Sequence, residues 1–167
     1  MFQTSGLNSN TLQIDINHIH LDSSWLTARK GLYIKPALID LANNSLTFYS
    51  LAQYDLEGSL HYHTGASYGV LLRGSLDIYE ENHPTQHIDA GGFTYSPAGV
   101  LHRAVQYCDD KDIWLYYGTL VGNIIYVDEN LQPKKSVDAM STYKMAQDHC
   151  KEQDIDFQSL NITLIQN

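Results

Sequence analysis

His61 and His63 stand two residues apart, and His102 follows after 38 intervening residues, inside Pro97-Ala98-Gly99-Val100-Leu101-His102. In an extended strand the side chains of residues i and i+2 share a face. His61 and His63 therefore point the same way. A third imidazole from a neighbouring strand would complete a facial set on one divalent metal ion, leaving the opposite positions for water, substrate or dioxygen. Spacing alone does not make ligands: His18-Ile19-His20 alternates too, lacks a partner motif, and is read as a solvated strand face.

The elements that must carry these imidazoles are strands. From Leu46 onward, short runs rich in Tyr, Val, Ile, Leu and Thr are broken by Gly, Asn, Asp or Pro, the pattern of closely spaced antiparallel strands. Strands are expected near 46–54, 59–63, 67–73, 75–80, 93–95, 101–107, 113–119 and 123–127. Eight such strands imply a sandwich or barrel of the jelly-roll kind rather than βαβ units. Val137, Met140, Tyr143, Met145 and Ala146 recur close to helical spacing, which predicts one C-terminal helix over about 137–151, packed on the outside. Residues 1–11 are polar and read as a loose tail, 12–19 alternate weakly, and Ser23-Ser24-Trp25 before Gly31 reads as a turn with an anchoring aromatic.

At 167 residues the chain is expected to be a single domain over 1–167, with a barrel core of about 46–127. Ten Lys plus Arg against 19 Asp plus Glu give a formal net charge of −9, which disfavours nucleic acid and anionic membrane surfaces as partners. The start has neither the basic nor the apolar region of a secretory signal, and no run reaches transmembrane length, so a cytoplasmic location is expected. Cys108 and Cys150 fit no metal or redox spacing and are read as reduced thiols.

His61-x-His63 followed by ten residues and Gly74, then Gly91, five residues and Pro97-x-Gly99-x-x-His102, resembles the two signature motifs of the cupin superfamily. That resemblance implies a mainly β fold, a cupin jelly-roll barrel with one C-terminal helix. Further runs resemble the branch that contains 2,4'-dihydroxyacetophenone dioxygenase and acetylacetone dioxygenase: Trp25 to Gly31, Lys35-Pro36-Ala37-Leu38, His61-Tyr62-His63-Thr64-Gly65, Leu72-Arg73-Gly74-Ser75, Ala90-Gly91-Gly92 and Ser96-Pro97-Ala98-Gly99. The likeness covers about residues 25–150. It implies one divalent metal, Fe(II) foremost with Zn(II) or Ni(II) as alternatives, held by His61, His63 and His102.

The departures from the motifs are as informative as the matches. Ser67 stands where the first cupin motif places a glutamate ligand, Ser96 where relatives often carry a glutamate, and Gln106 where the second motif closes with asparagine. Alternation puts Ser67, Gly69 and Leu71 inward, leaving a roomier pocket beside the metal, and puts Gln106 inward as a hydrogen-bonding group. Tyr68 and Tyr95, near the motifs, are candidates for substrate contact, with packing as the plainer reading. Glu80 and Glu81 lie in the hairpin between the motifs and reach the metal only if that loop folds inward, which is not expected. Arg73 precedes a turn glycine and reads as a surface residue. His83, His87 and His149 read as exposed, and Tyr62, Tyr79, Tyr107 and Tyr116 as half-buried sheet positions.

The function expected is cleavage of a carbon–carbon bond in a small β-dicarbonyl or α-hydroxyketone with dioxygen, in an enzyme that is a homodimer. Two alternatives stand beside it: a zinc-binding, ligand-sensing cupin without catalysis, and a metal-dependent isomerase or lyase on the same site.

Overall fold

The computed structural model describes residues 15–16, 18–110 and 112–166; the expected N-terminal tail and half of the weak alternation over 12–19 lie outside them. Its strands are β1 (Leu26–Arg29), β2 (Leu32–Asp40), β3 (Ser45–Ala52), β4 (Leu56–Glu57), β5 (His61–His63), β6 (Ser67–Arg73) and β7 (Ser75–Glu80). There follow β8 (Gln86–Asp89), β9 (Phe93–Ser96), β10 (His102–Tyr107), β11 (Trp114–Val121), β12 (Ile124–Val127) and β13 (Pro133–Val137). Helix α1 (Ala139–Gln153), a 3-10 turn at Phe157–Leu160 and β14 (Thr163–Ile165) close the chain.

Two seven-stranded sheets form the jelly roll. The first runs β1-β2-β3-β11-β6-β9 with β14 beside β2, and the second runs β13-β12-β5-β10-β7-β8 with β4 beside β10. Ala52, Leu71 and Trp114 of the first sheet pack with Leu76 and Ile78 of the second, so the apolar parity of each strand is buried between the layers. The chain passes from one sheet to the other at single joints. Gly74 links β6 to β7 with φ of 77°, and a Cβ there would stand 2.3 Å from the Tyr107 carbonyl oxygen, a position that glycine alone fits.

The eight expected strands all form, within a residue or two at most ends. Six more were not foreseen, for physical reasons. β2 carries Pro36 in mid-run, which argues against a strand, but the register slips between Pro36 and Leu38, a bulge that absorbs the missing donor. β8 and β13 are polar, largely exposed edge strands, so they carry no apolar alternation to read. The pairing is not wholly antiparallel, because β14 runs parallel to β2. His18 is exposed but lies outside any strand.

Helix α1 starts two residues later than expected, where Asp138 caps it: its carboxylate accepts from Ser141 N while Ser141 Oγ accepts from Asp138 N. Its buried stripe is Ala139, Thr142, Ala146 and Cys150 rather than the larger residues the periodicity suggested; Met140 is exposed. These small side chains let the helix lie close against Leu26, Ile39, Leu46 and Leu160. Cys108 and Cys150 are both free thiols. Arg73 is not a surface residue. It is 9% exposed and its Nε donates to Asp109 Oδ2 at 2.7 Å, because the bulge where β6 meets β11 turns it onto that carboxylate.

Candidate metal centre

β5 and β10 are neighbours in the second sheet, and their single register pair sets His61 opposite His102. Directly opposed residues of an antiparallel ladder project to the same side. His63 joins them by alternation along β5, and the ring centroids stand 4.4 Å (His61–His102), 4.9 Å (His63–His102) and 5.1 Å (His61–His63) apart. One nitrogen from each ring lies within 4.8 Å of the others. The spacing of the two motifs thus brings together the trio it predicted.

The backbone sets the tautomers. His61 Nδ1–H donates to the Ser59 carbonyl at 2.8 Å, and His102 Nδ1–H donates to the Val100 carbonyl at 3.0 Å. A carbonyl only accepts, so each Nδ1 carries the hydrogen and each Nε2 keeps a free lone pair. His63 Nδ1 is buried with no partner. Burial, with the charge of His102 adding to it, pushes the His61 pKa down to about 4. Burial, together with the charges of His61 and His102, pushes that of His63 down to about 3. Both rings are neutral near pH 7 and have lone pairs to give. A cluster of three imidazoles with an orphaned buried nitrogen fits a divalent cation, and these three residues could hold one.

The opposite side of the site comes from the first sheet. Residues 64–66 join β5 to β6, and residues 97–101 join β9 to β10; Gly99 N–H donates to the His63 carbonyl at 2.8 Å and ties the two joints together. Ser67 and Ser96 therefore stand at the end of the first sheet nearest the imidazoles. One step deeper, the room expected over Gly69 is filled. A Cβ at Gly69 would stand 2.5 Å from the Tyr116 hydroxyl, one at Gly118 would stand 2.4 Å from the same ring, and Tyr116 Oη shares a 2.8 Å hydrogen bond with Thr94 Oγ1. Tyr116 thus packs over Gly69 and Gly118, two residues along β6 from Ser67.

The remaining candidates separate cleanly. Leu71 is fully buried in the core between the sheets. Gln106 does face inward, with Oε1 buried and unpartnered, but it lies four residues along β10 from His102, about 13 Å at strand rise. It stands too far along the strand to be the group beside the ligand set. Tyr68 and Tyr95 oppose each other across β6 and β9 on the outer face, 40% and 62% exposed, and make no part of the site. His83 and His87 are exposed as expected, whereas His149 is half-buried and bonded to the Ser23 carbonyl.

Sequence reasoning missed one neighbour and misplaced another. Tyr126 pairs with His61 on β12, its ring 5.4 Å away; Glu80, expected in a hairpin loop, instead ends β7 and pairs with His102. A row Tyr126–His61–His102–Glu80 thus crosses four strands on one face. Glu80 shares its parity with Leu76 and Ile78, both buried, and that alternation was the signal available.

These two facing sheets, with histidines on adjacent strands of one of them, define a cupin fold. Solved structures agree: the chain matches an RmlC-like cupin protein from Ralstonia eutropha with a TM-score of 0.68 and 18% identity, over 79% of this chain and 84% of that one. It matches an acetylacetone dioxygenase from Acinetobacter johnsonii with a TM-score of 0.65 and 14% identity, over 87% of this chain and 95% of that one. A third match is to a putative acetylacetone dioxygenase from Methylibium petroleiphilum, with a TM-score of 0.60 and 14% identity over 80% and 92%. No protein-family model and no curated protein matches the sequence.

Proposed function

We propose that the chain is a metal-dependent dioxygenase that cleaves a carbon–carbon bond in a small β-dicarbonyl or α-hydroxyketone, with His61, His63 and His102 as the metal ligands. The observation that carries this reading is the convergence of the His61, His63 and His102 ring nitrogens within 4.8 Å of one another, with Ser67 and Ser96 paired at the facing end of the first sheet. A bound Fe(II) would supply oxygen activation and Lewis acidity toward a chelating pair of oxygens.

The chain's own residues do the rest. The Ser59 and Val100 carbonyls hold the Nδ1 hydrogens of His61 and His102 and so keep the Nε2 lone pairs aimed inward. Imidazole ligands carry no negative charge, so a divalent cation on them keeps a net positive charge that favours an anionic enolate over a neutral ketone. Tyr116, wedged over Gly69 and Gly118, limits how deep a ligand can enter. The likeness of fold to acetylacetone dioxygenase supports the choice of a small dicarbonyl.

The test is elemental analysis of the protein purified without added metal, then oxygen uptake after Fe(II) loading with a panel of diketones and hydroxyketones. Uptake with one or more members is the expected result. Stoichiometric zinc with no uptake on any member would overturn the reading and favour a zinc-binding sensor.

A further inference from the structure

We propose that Glu80 supplies the metal centre with a carboxylate, from the opposite side of His102 to the place where the cupin motif would put one. This rests on the reading of His61, His63 and His102 as ligands, and adds a residue that neither motif contains.

Three observations point to it. Glu80 is in direct register with His102 on the adjacent strand, and opposed residues of a ladder have Cβ atoms about 4.5–5.5 Å apart on one face. The face is settled by its strand-mates. Leu76 and Ile78, of the same parity, are buried between the sheets, while Asp77 and Tyr79 lie outside, with Asp77 bonded to His87 and Tyr79 under the Arg103 guanidinium. Lastly, Glu80 is half-buried, yet among the described residues its carboxylate has no ion pair and no hydrogen bond. A divalent cation on the three imidazoles would give this carboxylate a counter-charge one strand away.

The carboxylate stands outside the set of nitrogens that lie within 4.8 Å of one another. Rotation about the flexible Glu80 side chain is the movement that brings it in, so the contact forms with the cation. Ser67 and Ser96 leave the opposite side without a carboxylate, and Glu80 gives this chain the acidic member that those two positions lack.

The experiment reads metal affinity, not turnover. Chelator-stripped protein is titrated with Co(II) against a competing chelating dye, and the visible spectrum of the Co(II) complex is recorded alongside. Glu80→Gln is expected to weaken Co(II) by about 10–100-fold, the usual loss when a supporting carboxylate of a metal site is removed. Glu80→Asp is expected to fall between, and Ser67→Glu in the Glu80→Gln background to regain most of the loss. Metal-free melting of each variant reports folding. Affinity of Glu80→Gln within twofold of the parent, with an unchanged spectrum, would overturn the assignment of Glu80. Absence of Co(II) binding by the parent itself would overturn the three-histidine reading instead.

Discussion

Ser67 and Ser96 stand directly opposite each other in the β6–β9 ladder, so the two positions where cupin relatives often carry a carboxylate are here one cross-strand pair of serines. The half of the site carried by the first sheet is therefore neutral, and all three proposed ligands come from the second. Removing one imidazole leaves no second donor on the serine side to take over.

His63→Ala and His102→Ala should each reduce bound divalent metal to less than about a tenth of the parent level, since two imidazoles make a poor cage. Elemental analysis of equally folded protein checks this. Retention of the parent metal content by His102→Ala would show that the ligands are wrongly assigned.

Gly69→Ala should destabilise the protein by about 1–3 kcal/mol, the cost of forcing a methyl group into a packed interior. The nearest atom is backbone: the Tyr117 carbonyl oxygen would be 2.3 Å from the new Cβ, with the Tyr116 hydroxyl at 2.5 Å. Adding Tyr116→Phe should for that reason fail to restore the melting temperature, and full restoration would place the strain in the Tyr116 hydroxyl instead.

Metal-free protein should lose stability on mild acidification. In the unfolded chain His61 and His63 take up protons near the ordinary histidine value of 6.5, but folded they do so only at about 4 and about 3. Between those values the unfolded state binds more protons, so stability falls as pH drops from 6.5 toward 4 and levels off below 3. Melting temperature against pH, compared with a His61→Gln, His63→Gln double variant that lacks both groups, should show a shallower slope in the variant.

His87 should work in the opposite sense at the surface. The hydrogen bond from His87 Nδ1 to Asp77 Oδ1, 2.5 Å, raises the His87 pKa above 6.5 and lowers that of Asp77. A raised histidine contributes stability below 6.5 that is lost as pH rises through its folded value. An NMR titration should find His87 above 6.5 and back near it in Asp77→Asn; an unmoved value would mean that Asp89 holds the proton.

Removing the helix cap with Asp138→Ala should cost about 1 kcal/mol, measured by chemical denaturation. Ser141 N would lose its acceptor, and the first turn of α1 would fray.

Much of the imidazole half of the site was legible because one short motif, His61-x-His63, fixes a face by parity alone. Its partner His102 was legible because Pro97 and Gly99 mark the joint that delivers it. Among the elements that escaped were those with no apolar alternation, β8 and β13, and the one whose proline sat on a bulge, β2. Which residues stand beside His102 was beyond parity. Register places Glu80 next to it and sends Gln106 down the strand, and register depends on joints such as Gly74 that tell where the chain turns, not how far it slides. The expected space over Gly69 failed for a similar reason, since the ring that fills it comes from Tyr116 on a strand 47 positions later.

The bond from Gly99 N–H to the His63 carbonyl joins two connections that each leave one sheet for the other. Imidazoles and serines are thereby carried on separate sheets but hinged at one knot. Substitutions along β6, β9 and β11 can therefore alter the serine side while β5 and β10 keep the geometry of the imidazoles.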